Sequence, residues 1–91
     1  MAARYKTSEE FGAAVRAALE RTGLSEREVA RRSKGEISNA LVNNMAHGRM
    51  TSPDRLVFFA LAIGDDPNDW LTLGGYLHFR YVAGREPSQE G

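Results

Sequence analysis

Apolar residues recur along the chain at helical spacing, in five blocks divided by glycines, prolines and short polar runs. In the first block Phe11, Val15, Ala18 and Leu19 share one face, with Arg16 and Glu20 opposite. That spacing predicts a half-buried helix. Thr7 stands as its N-cap, and Glu10 three residues on completes a capping box, in which two side chains satisfy amides that the first turn leaves unbonded. Gly23 ends the block. Ser25 and Glu28 form a second capping box at once. The helix they start has only Val29, Ala30 and the flanking Leu24 as apolar residues, so it is short and mostly exposed. A basic turn follows, containing Arg31, Arg32, Ser33 and Lys34, with Ile37 as a lone apolar anchor before the next cap.

The third block predicts a helix over residues 38–47. Ser38 caps it, Leu41, Val42 and Met45 form its buried seam, and Ala46 permits close approach. Asn39, Asn43, Asn44 and His47 face outward, and Gly48 stops the helix. Asparagine is a poor helix former because its amide competes for backbone hydrogen bonds. Three in one short helix cost stability unless their amides have other work. Ser52, Pro53 and Asp54 open the fourth helix with a cap, a first-turn proline and an acid at the positive end of the dipole. Leu56, Val57, Phe58, Phe59, Ala60, Leu61 and Ile63 make it apolar nearly all round, so it is expected to be the most buried element. Gly64 ends it. Asp66 and Pro67 start a fifth helix carrying Trp70, Leu71 and Leu73, closed by Gly74 and Gly75.

After residue 75 the period changes. Leu77, Phe79 and Tyr81 alternate with Tyr76, His78 and Arg80, a strand pattern, with a helical extension as the alternative. A lone strand is not stable, and no second strand is evident in the sequence. A second copy of the chain is then a natural partner. Tyr76, Leu77, Phe79 and Tyr81 are the candidate dimerisation residues; the alternative is that the apolar ones fold back over their own core. The predicted architecture is all-α, five helices with a C-terminal strand or extended arm. It divides into a domain at 1–75, a dimerisation strand or arm at 76–83 and a disordered polar tail at 84–91, with residues 1–6 a loose end.

Charge changes the picture by its distribution. The chain has 12 basic and 12 acidic residues, and a net charge of zero is not the usual mark of a nucleic-acid binder. Yet residues 21–50 hold six basic residues against Glu26, Glu28 and Glu36, whereas residues 51–75 hold Arg55 alone against Asp54, Asp65, Asp66 and Asp69. Such polarity can orient a protein on a polyanion; a mixed solvated surface is the plainer reading. There is no cysteine, so disulfides and thiolate chemistry are excluded. The uncharged apolar run at residues 56–64 is far too short for a bilayer, and the N-terminal residues lack an apolar signal core, so the cytoplasm is the expected compartment. His47 and His78 have no acidic partner at helical spacing, and Asp65, Asp66 and Asp69 surround a proline at a helix start, where acids belong without a metal. No phosphate-cradling glycine loop is present. The expectation is no enzyme, no cofactor and no metal.

Two short helices with a turn between them, the second polar on its outer face, form a helix-turn-helix pattern. The second helix of such a unit enters the DNA major groove, where an asparagine amide can pair with adenine N6 and N7. Residues 23–71, about half the chain, resemble the Cro/C1-type (XRE-like) family of bacterial and phage regulators. The resemblance rests on Gly23, Leu24 and Ser25 opening helix two, Val29 and Ala30 within it, and Ile37 and Ser38 opening helix three. The spacing of Val42, Met45, Gly48 and Arg49 follows, then Pro53, the apolar run to Gly64, Pro67, Trp70 and Leu71. Gly35, Ile37 and Ser38, with the run from Phe58 to Gly64, look most like actinobacterial and actinophage members. Two features depart from the family. The turn at residues 33–37 is about two residues longer, and Glu26 stands where the family often has a glutamine that touches a phosphate and braces the recognition helix. Glu26 is expected to complement the helix dipole instead.

The resemblance implies a lambda-repressor-like fold and a sequence-specific regulator of transcription, a repressor, reading duplex DNA with helix 38–47. Ser38, Asn39 and Ala40 fall where base contacts are usual, with Asn43, Asn44 and His47 further along the outer face. Arg49 and Thr51 lie in the loop that commonly meets the backbone, and Arg27, Arg31, Arg32 and Lys34 are phosphate candidates. A homodimer on an operator is the implied assembly; a protein partner such as polymerase, a sigma factor or a co-regulator stays open. The alternative is a protein-interaction adaptor or antitoxin-like module that uses the same fold without DNA, which zero net charge and Glu26 favour.

Overall fold

The computed structural model describes residues 8–83 and, further on, residues 88–89. Five helices follow in order: α1 Glu9–Thr22, α2 Glu26–Arg32, α3 Asn39–Ala46, α4 Pro53–Ile63 and α5 Pro67–Leu73. Their starts follow the polar caps. The hydroxyls of Ser25, Ser38 and Ser52 each accept from the amide three residues on, and the Asp66 carboxylate accepts from the Asn68 amide. At α1 the cap is Ser8, which accepts from the Phe11 amide at 3.1 Å; Thr7, the expected cap, lies outside the described residues.

The helices enclose one core. Phe11 and Val15 from α1, Val29 from α2, Val42 and Met45 from α3, Leu56, Val57 and Phe59 from α4, and Leu71 from α5 are fully buried. Each such side chain contributes about 1.5–3 kcal/mol relative to exposure. As its composition requires, α4 buries six of its 11 residues, although Leu61 points outward. Trp70 meets Phe59 and Phe11 edge-on, with ring centroids 5.0 and 6.2 Å apart. Its indole N–H donates to Asp65 Oδ2 at 2.8 Å, and Arg21 meets both oxygens of that carboxylate at 2.9 and 3.2 Å. Burial pushes the Asp65 carboxyl up, but the hydrogen bonds from Trp70 and Arg21 and the arginine charge together outweigh it and hold the group below the ordinary range. Asp65 and Asp66 thus bind α1 to α5 and cap α5, the structural duties acids perform at such a junction.

The C-terminal arm differs from the sequence expectation. The strand predicted over residues 76–82 shrinks to β1, Phe79–Arg80, and residues 77–78 form a turn. Its partner lies in the same chain: β2, Ser88–Gln89, runs antiparallel with Phe79 opposite Gln89 and Arg80 opposite Ser88. Part of the segment expected to be a disordered tail therefore supplies the second strand; residues 84–87, 90 and 91 lie outside the described residues. The arm is held by polar clasps that alternation does not reveal. Tyr76 donates its hydroxyl to the Thr51 carbonyl, and the Asn68 amide both donates to the Tyr81 carbonyl (3.0 Å) and accepts from the Tyr81 amide (2.8 Å). Tyr76, Phe79 and Tyr81 pack on the chain's own core, with Tyr76 and Phe79 edge-on at 5.7 Å. Of the four proposed dimerisation residues Leu77 is 72% exposed and the other three are half-buried. No helix among the described residues is long and apolar enough to cross a membrane.

Candidate nucleic-acid interface

The α2–turn–α3 unit is built around a buried serine. Ser33, 8% exposed, donates its hydroxyl to the Ala30 carbonyl (2.6 Å) and accepts from the Ile37 amide (3.1 Å). It thereby ties the end of α2 to the residue that anchors the start of α3. Between them Lys34 and Gly35 take positive φ angles, 59° and 86°. Two left-handed residues in succession turn the chain sharply enough to bury Ile37. Glycine does this without strain, whereas a lysine pays roughly 1–2 kcal/mol. The extra turn length noted in the sequence is thus a compact, hydrogen-bonded bend rather than a slack loop.

α3 then presents two faces. Val42, Met45 and Ala46 are buried and Leu41 is half-buried; Asn39, Ala40, Asn44 and His47 are exposed. Three attachments fix its position. Arg16 of α1 donates to the Ala46 carbonyl at 2.6 Å, placing a cation on the negative end of the α3 dipole. The Ser8 amide donates to the Gly48 carbonyl at 2.8 Å. The backbones meet closely there: a methyl group on Gly12 would stand 2.7 Å from the Gly48 nitrogen, so only glycine fits that α1 position. Finally, Asn43 donates its side-chain amide to Glu26 Oε2 at 3.0 Å, joining α3 to the first turn of α2.

This last contact corrects the reading of Glu26. The residue sits in the first turn of α2, where it does face the helix dipole, but its carboxylate also braces α3. It also changes Asn43, which is half-buried with one amide hydrogen already engaged. A carboxylate only accepts, so the amide nitrogen must face Glu26 and the carbonyl oxygen must face away. His47 Nδ1 lies 2.8 Å from the Asn43 backbone carbonyl, which likewise only accepts, so Nδ1 carries the hydrogen and Nε2 faces the surroundings.

The other sequence candidates divide clearly. Arg27, Arg32, Lys34 and Arg49 are exposed and form no ion pair among the described residues. Arg31 is exposed but paired with Glu28 at 2.8 Å, one turn away. The Ser38 hydroxyl is committed to the Leu41 amide. Thr51 is 4% exposed, and burial removes its side chain from the surface on which it was placed. Sequence reasoning missed Arg55, which with Leu41, Asn44, Arg49, Met50 and Thr51 lines a hollow of about 240 Å³ beside α3. Its position in the first turn of α4, shortly after Arg49 of the α3–α4 loop, was the available signal. It also missed Gly12, Arg16 and Ser33, whose partners are visible only in three dimensions. Comparison of the chain with models of known protein families, with curated proteins and with solved structures returns no match.

Proposed function

We propose that this chain is a sequence-specific double-stranded DNA-binding regulator of the Cro/C1-type (XRE-like) helix-turn-helix kind, acting as a repressor by occupying an operator in the cytoplasm. The observation that carries the proposal is the two-faced α3, with Asn39, Ala40, Asn44 and His47 exposed above a buried seam. A short helix that tolerates three asparagines and is still pinned at both ends has its polar face held for contact. Asn39, at the first position of α3, and Asn44 offer paired donors and acceptors to base edges, and Ala40 offers a methyl to thymine. Arg27, Arg32, Lys34 and Arg49 are exposed, form no ion pair among the described residues and suit phosphates, which set register rather than sequence. The Asn43–Glu26 contact makes Asn43 chiefly a positioning residue.

One such helix reads few bases, and each mismatch costs about 1–3 kcal/mol, so useful discrimination calls for two copies on one operator. Since β1 pairs within its own chain, strand exchange is not needed for that assembly, and Leu77 is the most exposed of the candidate arm residues. The test is retention on random duplex across a salt series. With about four phosphate contacts, log affinity should fall against log salt with a slope of about −3 to −4. Absence of binding at low salt would instead select the protein-interaction reading, to which the exposed Leu61, Leu73, Leu77 and Val82 lend support.

A further inference from the structure

The hollow beside α3 has a floor and a rim of different chemistry. Leu41, half-buried, and Met50, 9% exposed, supply an apolar floor, while Arg49, Arg55 and the Asn44 amide supply polar groups at the rim. Arg49 forms no ion pair among the described residues, and the contact of the Arg55 guanidinium is a long one, 3.4 Å to Ser52 Oγ. Glu36 and Asp54 border a second hollow on the other side of Arg55, but neither forms an ion pair with it. Two guanidiniums with spare donors, next to an amide and above an apolar surface, match a phosphate ester. The guanidiniums offer forked donors to its oxygens, and the apolar floor accepts the carbon skeleton beside it.

We propose that this hollow is a phosphate-ester site, with Arg49 and Arg55 flanking the phosphate and Leu41 and Met50 carrying the adjoining sugar or carbon chain. Where the ester is the DNA backbone, the site rests on the DNA-binding reading and adds Arg55 to it. A free phosphomonoester does not need that reading, and in the same hollow it would compete with the backbone. Asn44 belongs both to the rim and to the exposed face of α3, so occupancy of the hollow is coupled to whatever that face reads.

The test has two arms, each run on the full chain. In the first, isotope-labelled protein is titrated with inorganic phosphate against chloride at equal ionic strength. Saturable shifts at the Asn44 amide and the Arg49 and Arg55 side-chain N–H groups are expected, lost in Arg55→Gln and kept in Glu20→Gln, at an exposed position of α1. In the second, random duplex is titrated with wild type and Arg55→Gln. A loss of roughly three- to tenfold at low salt, with a salt slope shallower by about one, is expected if backbone phosphate occupies the hollow. Phosphate shifts with unchanged duplex affinity support the site and assign it to a free ester. Phosphate shifts without any duplex binding support the site and remove the DNA reading. Duplex binding that is indifferent to Arg55→Gln, with no localised phosphate shift, overturns the site and leaves the DNA reading standing.

Discussion

α3 and α4 are neighbours in sequence and opposites in construction. α4 buries six of 11 residues and keeps few polar groups; α3 buries three of eight and carries three asparagines. α4 is held by the area it removes from water. α3 is held at particular points, by Arg16 on Ala46, Gly12 against Gly48 and Glu26 on Asn43. A helix attached at points can leave its outer face free of packing duties. The contrast predicts that damage to α4 is read in stability, whereas damage to the α3 surface is read in binding.

The largest effect should come from α4. Phe59→Ala removes a ring that is fully buried against Trp70 and should cost about 3–5 kcal/mol in denaturant unfolding, enough to unfold much of a marginal domain. Asn44→Ala on the exposed face of α3 should stay within about 0.5 kcal/mol of wild type while weakening duplex binding. Equal stability losses in both variants would erase the contrast. Gly12→Ala comes next, because its methyl must displace the Gly48 backbone rather than a flexible side chain. We expect about 1–3 kcal/mol of destabilisation, and a duplex affinity reduced beyond what the unfolded fraction explains, since α3 itself must shift.

The Glu26–Asn43 brace should be smaller. A double-mutant cycle with Glu26→Ala and Asn43→Ala should give a coupling of about 0.5–1.5 kcal/mol in unfolding; strictly additive losses would mean the contact holds nothing. The smallest effect concerns Asp65. Its carboxyl is held below the ordinary range in the folded chain, so the stability it contributes is present above the unfolded value near 3.8 and is lost as pH falls through the folded value. Asp65→Asn should flatten that acid limb, by about 1 kcal/mol or less given the exposure of Arg21. An acid limb identical to wild type would dissociate Asp65 from acid stability.

What the sequence made legible was local. Ser25, Ser38, Ser52 and Asp66 mark helix starts because a cap and its amide lie two or three residues apart. The apolar spacing of α4 identified the centre of the core for the same reason. The outer face of α3 was also readable, since Asn39, Asn44 and His47 fall on one side by period alone. The attachments were not readable. Arg16 lies 30 residues from Ala46 and Glu26 lies 17 from Asn43, distances at which no local rule pairs side chains. Gly12 carried no signal in the sequence, because its reason is the Gly48 backbone, far along the chain. The arm was misjudged in its pairing: residues 88–89 are polar, and a two-residue strand leaves too short a pattern to detect.

The central claim is that the face of α3 reads base sequence, and selection from a pool of random duplexes, read by sequencing, tests it most directly. The account predicts a short enriched motif, repeated with two-fold symmetry about one helical turn apart if two copies bind together, and its loss from the pool selected by Asn39→Ala. Duplexes retained at low salt but unchanged in sequence from the starting pool would contradict it, leaving α3 a phosphate-bound or protein-facing helix.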